Sequence, residues 1–391
     1  MSHLSVLFEE LSDFSFLKGL IILLPILILI YLERREILFF FYDITEKVAD
    51  SFKETFYLTR HQANPLLSPR PHIGWEKEGV FNPAALLINN TVHLLYRAIG
   101  GDGISRVGYS KSDDGKVFEE GLEYPVFTFK QSKPLGMVEK KYDRVMYPSG
   151  GSWGGAEDPR ATHIDGKIYM TFNAFDGWDF IRVALTMIDE KDFLSGKWKW
   201  MAPRLISPPG QIHKNWVIFP EKINGKYAIL HSISPNVEVE YRDSLETIGT
   251  YDSYIKSPVG VRTAGNKGQW DTRVRGAGPP PVKTEDGWLV FYHANDDAEP
   301  HKYKLGVKLL DLNDPSKILA RSKSPILEPD MWYENDWKPG IVYACGAVIK
   351  DEILHLYYGG GDKHVCSAHT KVKDLLSWLK KEEEEPLTLI K

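Results

Sequence analysis

One strand–turn–strand unit is written five times between residues 82 and 360, and this repeat constrains the fold more than any other feature. The copies are NPAALLINNTVHLLYRA from Asn82, DPRATHIDGKIYMTFNA from Asp158, VIFPEKINGKYAILHSI from Val217, PPPVKTEDGWLVFYHAN from Pro279 and ACGAVIKDEILHLYYGG from Ala344. Each joins an apolar run to a tight polar turn and then to an alternating, aromatic-rich strand. The turns are Asn89-Asn90, Asp165-Gly166, Asn224-Gly225, Asp286-Gly287 and Lys350-Asp351. Three of these are Asn-Gly or Asp-Gly, the dipeptides that best reach the positive φ angles of a two-residue hairpin. Successive turns begin 76, 59, 62 and 64 residues apart. A strand repeat of this period reads as propeller blades of about 40–50 residues with loop insertions. A small sheet cannot bury both faces alone, whereas five in a ring bury them against neighbours. A stacked sandwich predicts no such even spacing. The expected fold is all-β, a five-bladed β-propeller over residues 61–391. Residues 371–379 are expected to form a terminal helix, followed by a solvated acidic run, Glu382–Glu385.

Hydrophobic residues make up 43% of the 391, enough for a sizeable core. Acids and bases are mixed and the net charge is −5, which argues against a nucleic-acid partner. The two cysteines, Cys345 and Cys366, exclude a disulfide framework and show no metal-ligand spacing.

Residues 1–60 differ from the rest and are read as a separate N-terminal apolar helical segment. Gly19–Leu32 reads GLIILLPILILIYL, with Lys18 before it, Glu33-Arg34-Arg35-Glu36 after it and a second patch, ILFFFY, from Ile37. The run is shorter than the roughly 18–20 residues of a spanning helix, though snorkelling at Lys18 and Tyr31 extends its reach. A buried helix is the plainer alternative. The favoured expectation is membrane association through residues 17–42, as an anchor or an in-plane segment. Arg34, Arg35 and Lys47 outnumber Lys18, so the positive-inside bias places the catalytic domain in the cytoplasm.

A hairpin brings the residues before its first strand close to those after its second. Applied to all five copies, this gathers Asn82 with Arg97, Asp158 with Asn173, Lys214 and Asn215 with His231 and Ser232, Gly276–Pro281 with His293, and Tyr343 with Asp362. In a propeller these ends share one mouth of the central channel, and convergent polar groups in a concavity are the default functional site. Taken singly, each has a plainer reading: Asp158 as a turn cap, Arg97 as an ion-pair partner of Glu157, His293 as a satisfied strand-end histidine.

At these residues the chain resembles glycoside hydrolase family 130, five-bladed propellers acting on β-mannosides. The resemblance runs from about Asn64 to the end. It rests on FNPAALL, LLYRAIGGDGISRVGYSKSDDG, AEDPRATHIDGKIYMTF, HKNWVIFPEKINGKYAILH, GAGPPPVKTEDGWLVFYH, YKLGVKLLDLNDP and LHLYYGGGD. It implies a phosphorylase that cleaves a β-mannoside oligosaccharide with inorganic phosphate as co-substrate, inverting to α-mannose 1-phosphate, without cofactor or metal. It also implies that Asp158 is the general acid, passing its proton through a sugar hydroxyl, and that Asp362 binds the sugar in the −1 subsite.

A general acid near other acids and partly desolvated is expected to have a raised pKa. Phosphate needs fixed positive charge, for which Arg97, Lys214, His293 and Arg275 are the candidates. Asn82, Asp102, Arg106, Arg160 and Asn215 are the further substrate-binding candidates, with Arg160 also holding the loop; Glu157 has no assigned role. One departure weakens the phosphorylase reading: where family phosphorylases often carry Arg or Lys after the histidine of KYAILH, this chain has Ser232. The rival is an inverting β-mannosidase, needing a second carboxylate about 6.5–9.5 Å from the acid. Glu238, Glu240 and Glu334 are its candidates. A non-catalytic glycan-binding propeller is the third reading.

Overall fold

The computed structural model describes residues 55–129, 143–146, 150–176, 181–250, 253–257, 263–264 and 269–383. The sheets belong to one compact unit, Phe56–Lys391. In chain order the strands are β1 (Thr59–Arg60), β2 (Gly79–Ile88), β3 (Thr91–Ile99), β4 (Ile104–Ser112), β5 (Gly154–Ile164), β6 (Lys167–Asp176), β7 (Ile181–Asp189), β8 (Arg204–Leu205), β9 (Val217–Ile218) and β10 (Tyr227–Ile233). They continue with β11 (Val237–Arg242), β12 (Thr263–Ala264), β13 (Arg273–Ala277), β14 (Val282–Lys283), β15 (Trp288–Asn295), β16 (Lys304–Leu310), β17 (Ile318–Arg321), β18 (Val342–Lys350), β19 (Ile353–Gly360) and β20 (His364–Lys371). Among the described residues α-helices are few: α1 (Glu190–Leu194) and α2 (Val372–Glu383).

Pairing between these strands is antiparallel except where β4 meets β5, in register only at Ile104↔Gly154 and Ser105↔Gly155. That short parallel contact joins β2–β3–β4 to β5–β6–β7–β8. The other sheets are β9–β10–β11, the β12–β17 group around β15, and β18–β19–β20 with β1 on its outer edge. Thus the first described strand completes the last sheet. Neighbouring groups pack in chain order: β2 on β5, β5 on β9, β10 on β13, β15 on β18, and β18 back on β2.

Each predicted hairpin exists, and local sequence explains three of the turns. Asn89-Asn90, Asp165-Gly166 and Asn224-Gly225 all have positive φ at both positions, the mirror-image turn that suits twisted strands. The last turn lies one residue later, at Asp351-Glu352, because Lys350 still pairs with Ile353. The fourth hairpin has a four-residue loop: Lys283 pairs with Trp288, and the Thr284 N–H donates to the Gly287 carbonyl at 2.9 Å. The alternation expected in the second strands is lost in β15, where every residue from Trp288 to Asn295 is buried. A sheet covered on both faces has no solvent side to mark with polar residues.

The expected membrane association with a cytoplasmic catalytic domain does not stand. No helix among the described residues is long and apolar enough to cross a membrane. The apolar run itself, with its expected helical form, lies outside the described residues. Phe56 and Leu58 instead join the last sheet's core, where Phe56 stacks on Trp378 of α2 at 5.1 Å.

Candidate active site

The Asp158 carboxylate is the centre of a buried polar network. The ladder slips between Phe81 and Ala84 in β2 and between Glu157 and Arg160 in β5. These bulges contain Asn82-Pro83 and Asp158-Pro159, and proline, lacking an N–H, is tolerated where ladder bonds are broken. Asn82 and Asp158 take φ of 47° and 50° there, as do Asn215 (65°) and Asp362 (52°). Asn and Asp tolerate this left-handed region better than other side chains. Asp158 Oδ1 accepts from Asn82 Nδ2 at 2.7 Å and Arg97 Nη1 at 2.9 Å, and Oδ2 accepts from Asn173 Nδ2 at 3.3 Å. The close approach requires glycine opposite: a Cβ on Gly359 would lie 2.0 Å from Asn82 Oδ1.

Arg97 is buried and its donors are engaged. Nε reaches Ser105 Oγ at 2.9 Å, and Nη2 reaches Ser152 Oγ at 3.0 Å and Glu157 Oε1 at 2.8 Å. It therefore clamps two carboxylates. This corrects the expected state of Asp158. Burial alone would raise its pKa, but the charges of Arg97, Arg160 and Lys214 with the Asn82 hydrogen bond outweigh burial and lower it to about 2. Its ionised form therefore stabilises the fold above the ordinary value of 3.8, and that contribution is lost as pH falls from there toward 2.

Arg160 is likewise a brace. Nε donates to the Gly278 carbonyl at 2.9 Å, Nη1 to the Asp158 carbonyl at 2.7 Å and Nη2 to Asn215 Oδ1 at 2.9 Å. Asn215 Oδ1 also accepts from the Tyr343 hydroxyl at 3.0 Å. The Tyr343 ring stacks on His293, centroids 3.9 Å apart. The Ala344 N–H donates to His293 Nε2 at 2.9 Å, so the ring proton sits on Nδ1. Burial and the Arg160 charge push the His293 pKa down to about 3. His293 is neutral and enclosed, so it does not supply the positive charge expected of it.

His231 behaves similarly, lowered by burial to about 4. Unfolding exposes both imidazoles, which then bind protons below about 6.5 that the folded state refuses. Stability should therefore fall as pH drops from about 6.5 toward 4. The urea midpoint is expected to be lower at pH 5 than at pH 7, with His231→Asn narrowing the gap; equal midpoints would refute this.

Two expected cations are differently placed. Lys214 and Arg275 are both half-buried, and neither forms a hydrogen bond or ion pair through its side chain with any described residue. They flank Asn215: Lys214 precedes it, and the Arg275 carbonyl accepts from Asn215 Nδ2 at 3.0 Å. The Arg275 guanidinium lies over the Tyr303 ring at 5.4 Å. Asp362 Oδ2 pairs with Lys338 Nζ at 3.1 Å. Asp102 and Arg106 pair with each other toward solvent, Oδ1 to Nη1 at 3.0 Å. Ser232 Oγ donates to the carbonyls of Ser234 at 3.3 Å and Asn236 at 3.1 Å.

The carboxylates considered for water activation have neighbours of their own. Glu334 is fully buried and accepts from Arg60 Nε at 2.8 Å, the Tyr358 hydroxyl at 2.7 Å and the N–H groups of Asp330 and Met331 at 2.7 and 2.9 Å. A carboxylate saturated by donors has no lone pair left for water. Glu240 pairs with Arg242 at 2.7 Å on β11, the edge strand of its sheet. Glu238, on the same strand, is 3.9 Å from His231. Sequence reasoning missed Ser105, Ser152 and Lys338, since only the folded backbone brings them to Arg97 and Asp362.

The family model described as beta-1,4-mannooligosaccharide phosphorylase, glycoside hydrolase family 130, matches residues 58–381. A 1,2-beta-oligomannan phosphorylase from Thermoanaerobacter sp. is 36% identical over 328 residues, 81% of this chain and 98% of that protein. A beta-1,2-mannobiose phosphorylase from the same organism is 35% identical over 324 residues, covering 79% and 96%. The solved structure of beta-1,2-mannobiose phosphorylase from Listeria innocua in complex with beta-1,2-mannobiose superposes with a TM-score of 0.61 at 26% identity, covering 83% and 99%.

Proposed function

The chain belongs to glycoside hydrolase family 130, and from that premise we propose that this β-mannoside phosphorylase acts on β-1,2 linkages, with inversion, to give α-mannose 1-phosphate. Inorganic phosphate is the co-substrate and no cofactor takes part. The β-1,2 reading follows the names of the two relatives at 36% and 35% identity, against the β-1,4 description of the family model. For the fold we propose a five-bladed propeller. Support comes from the five hairpins, the packing of β18 back on β2, and β1 completing the last sheet.

The observation that carries the mechanism is a pair of side-chain cations with no ion-pair partner among the described residues, Lys214 and Arg275, on either side of Asn215 in a network that reaches the Asp158 carboxylate through Asn173. They are the phosphate site. The phosphate oxygen bonds to the anomeric carbon on the face opposite the leaving group. The glycosidic C–O bond breaks, its electron pair goes to the leaving oxygen, and that oxygen receives the Asp158 proton, relayed by a sugar hydroxyl. Because Lys214 helps hold Asp158 ionised, a phosphate dianion beside Lys214 offsets that charge and favours protonation of the acid. Asn82 and Asp362 contact the sugar at the cleaved bond, and Asp102 and Arg106 contact it from the rim. Arg97, Arg160 and His293 act by positioning.

Incubation with β-1,2- and β-1,4-mannobiose, with and without phosphate, tests this. Mannose 1-phosphate is expected from the β-1,2 substrate and only with phosphate. Free mannose at equal rates in both conditions would make the enzyme a hydrolase. Lys214→Met should raise the KM for phosphate at least about tenfold, the loss of one charge-assisted contact, with a smaller change in KM for the mannoside.

A further inference from the structure

We propose that Trp332 is a stacking platform for mannosyl units beyond the cleaved bond, so that this chain favours oligosaccharides longer than a disaccharide. The inference rests on the phosphorylase reading above. Trp332 is 61% exposed, and among the described residues no other tryptophan is mostly exposed. A large ring left in water beside the buried Tyr333 and Glu334 asks for an occupant.

The loop is rigid. Glu334 accepts from the N–H groups of Asp330 and Met331, and Asn335 Nδ2 donates to the Met331 carbonyl at 2.8 Å. Arg60, from β1, binds the same Glu334 carboxylate. The backbone is therefore pinned on both sides of Trp332. Its ring rests edge-on against Tyr333 at 5.6 Å and His364 at 5.5 Å. A ring already fixed loses little conformational freedom when a ligand stacks on it.

The loop also reaches the site. The Lys338 N–H donates to the Gly361 carbonyl at 3.0 Å and its ammonium pairs with Asp362 at 3.1 Å. His364, which Trp332 touches, is two residues past Asp362. Platform and site thus share one short segment, and a chain leaving the site on this side runs toward Trp332. The surroundings suit a sugar: a pyranose offers C–H groups on its face and hydroxyls at its edge. Asp336 and Lys363, paired at 2.8 Å and both partly exposed, are placed for the hydroxyls. A protein partner fits less well, because among the described residues of this loop the other exposed large apolar side chain is Met331, far short of a patch of several hundred Å².

The test compares the KM of full-length wild type and Trp332→Ala for mannobiose and mannotetraose of the accepted linkage. Losing one stacked ring should raise the KM for the tetraose about tenfold, leave that for the biose within about twofold, and leave the thermal midpoint in place. Trp332→Phe should restore most of the difference. Parallel changes for both substrates, or no change for either, would overturn the platform while the phosphorylase reading stands. Wild type that forms no sugar phosphate from either substrate would overturn both. Unchanged KM values with altered self-association would assign the ring to a copy of the chain instead.

Discussion

Asp158→Asn is expected to lower kcat for phosphorolysis by about 10²–10⁴-fold, the usual contribution of a positioned general acid. The substitution is nearly isosteric, and its amide oxygen can still accept from Asn82 and Arg97, as Asp158 Oδ1 does. Only the weaker contact from Asn173, at 3.3 Å, meets an amide donor instead. Mannoside binding should therefore survive while turnover is lost, which calorimetry with the variant and a product assay would separate. Undiminished turnover would remove Asp158 from the chemistry. If the wild type bound the sugar without turning it over, the chain would be a glycan-binding module.

The second large effect concerns stability. Arg97→Met should destabilise the fold by roughly 3–5 kcal/mol, the cost of removing one partner of a buried ion pair. Glu157 is fully buried and Asp158 nearly so, and Arg97 bonds both, at 2.8 and 2.9 Å. Arg97→Lys should not rescue it. One ammonium cannot reproduce the fork that reaches Ser105, Ser152, Glu157 and Asp158 together. Urea denaturation measures the effect, and a loss below about 1 kcal/mol, the scale of an exposed pair, would contradict the clamp. The same variant should lose activity, since Arg97 is the nearest cation to the acid.

These two residues show how much of the site was legible. Strand pairing follows from turn position, so the sequence alone places Asn82, Arg97 and Asp158 at one mouth. It did not decide between the two readings it offered for Arg97, phosphate contact or ion pair with Glu157. Arg97 was expected to face phosphate and instead holds carboxylates. His293 was expected to be charged and is enclosed, with Nε2 occupied by the Ala344 N–H. Glu334 was a candidate base and proves to be saturated by donors.

The sequence by itself determined the hairpins, because a two-residue turn depends on the φ preferences of the two residues in it, as at Asp165-Gly166 and Asn224-Gly225. It also determined the family, because the ordered motifs lie along the chain. Only the tertiary structure decided the charge states. The Asp158 carboxylate owes its depressed pKa to Arg97, 61 residues away, and its shortest hydrogen bond to Asn82, 76 residues away. Electrostatic interaction and burial depend on distance in space, and no local pattern in the chain encodes that distance.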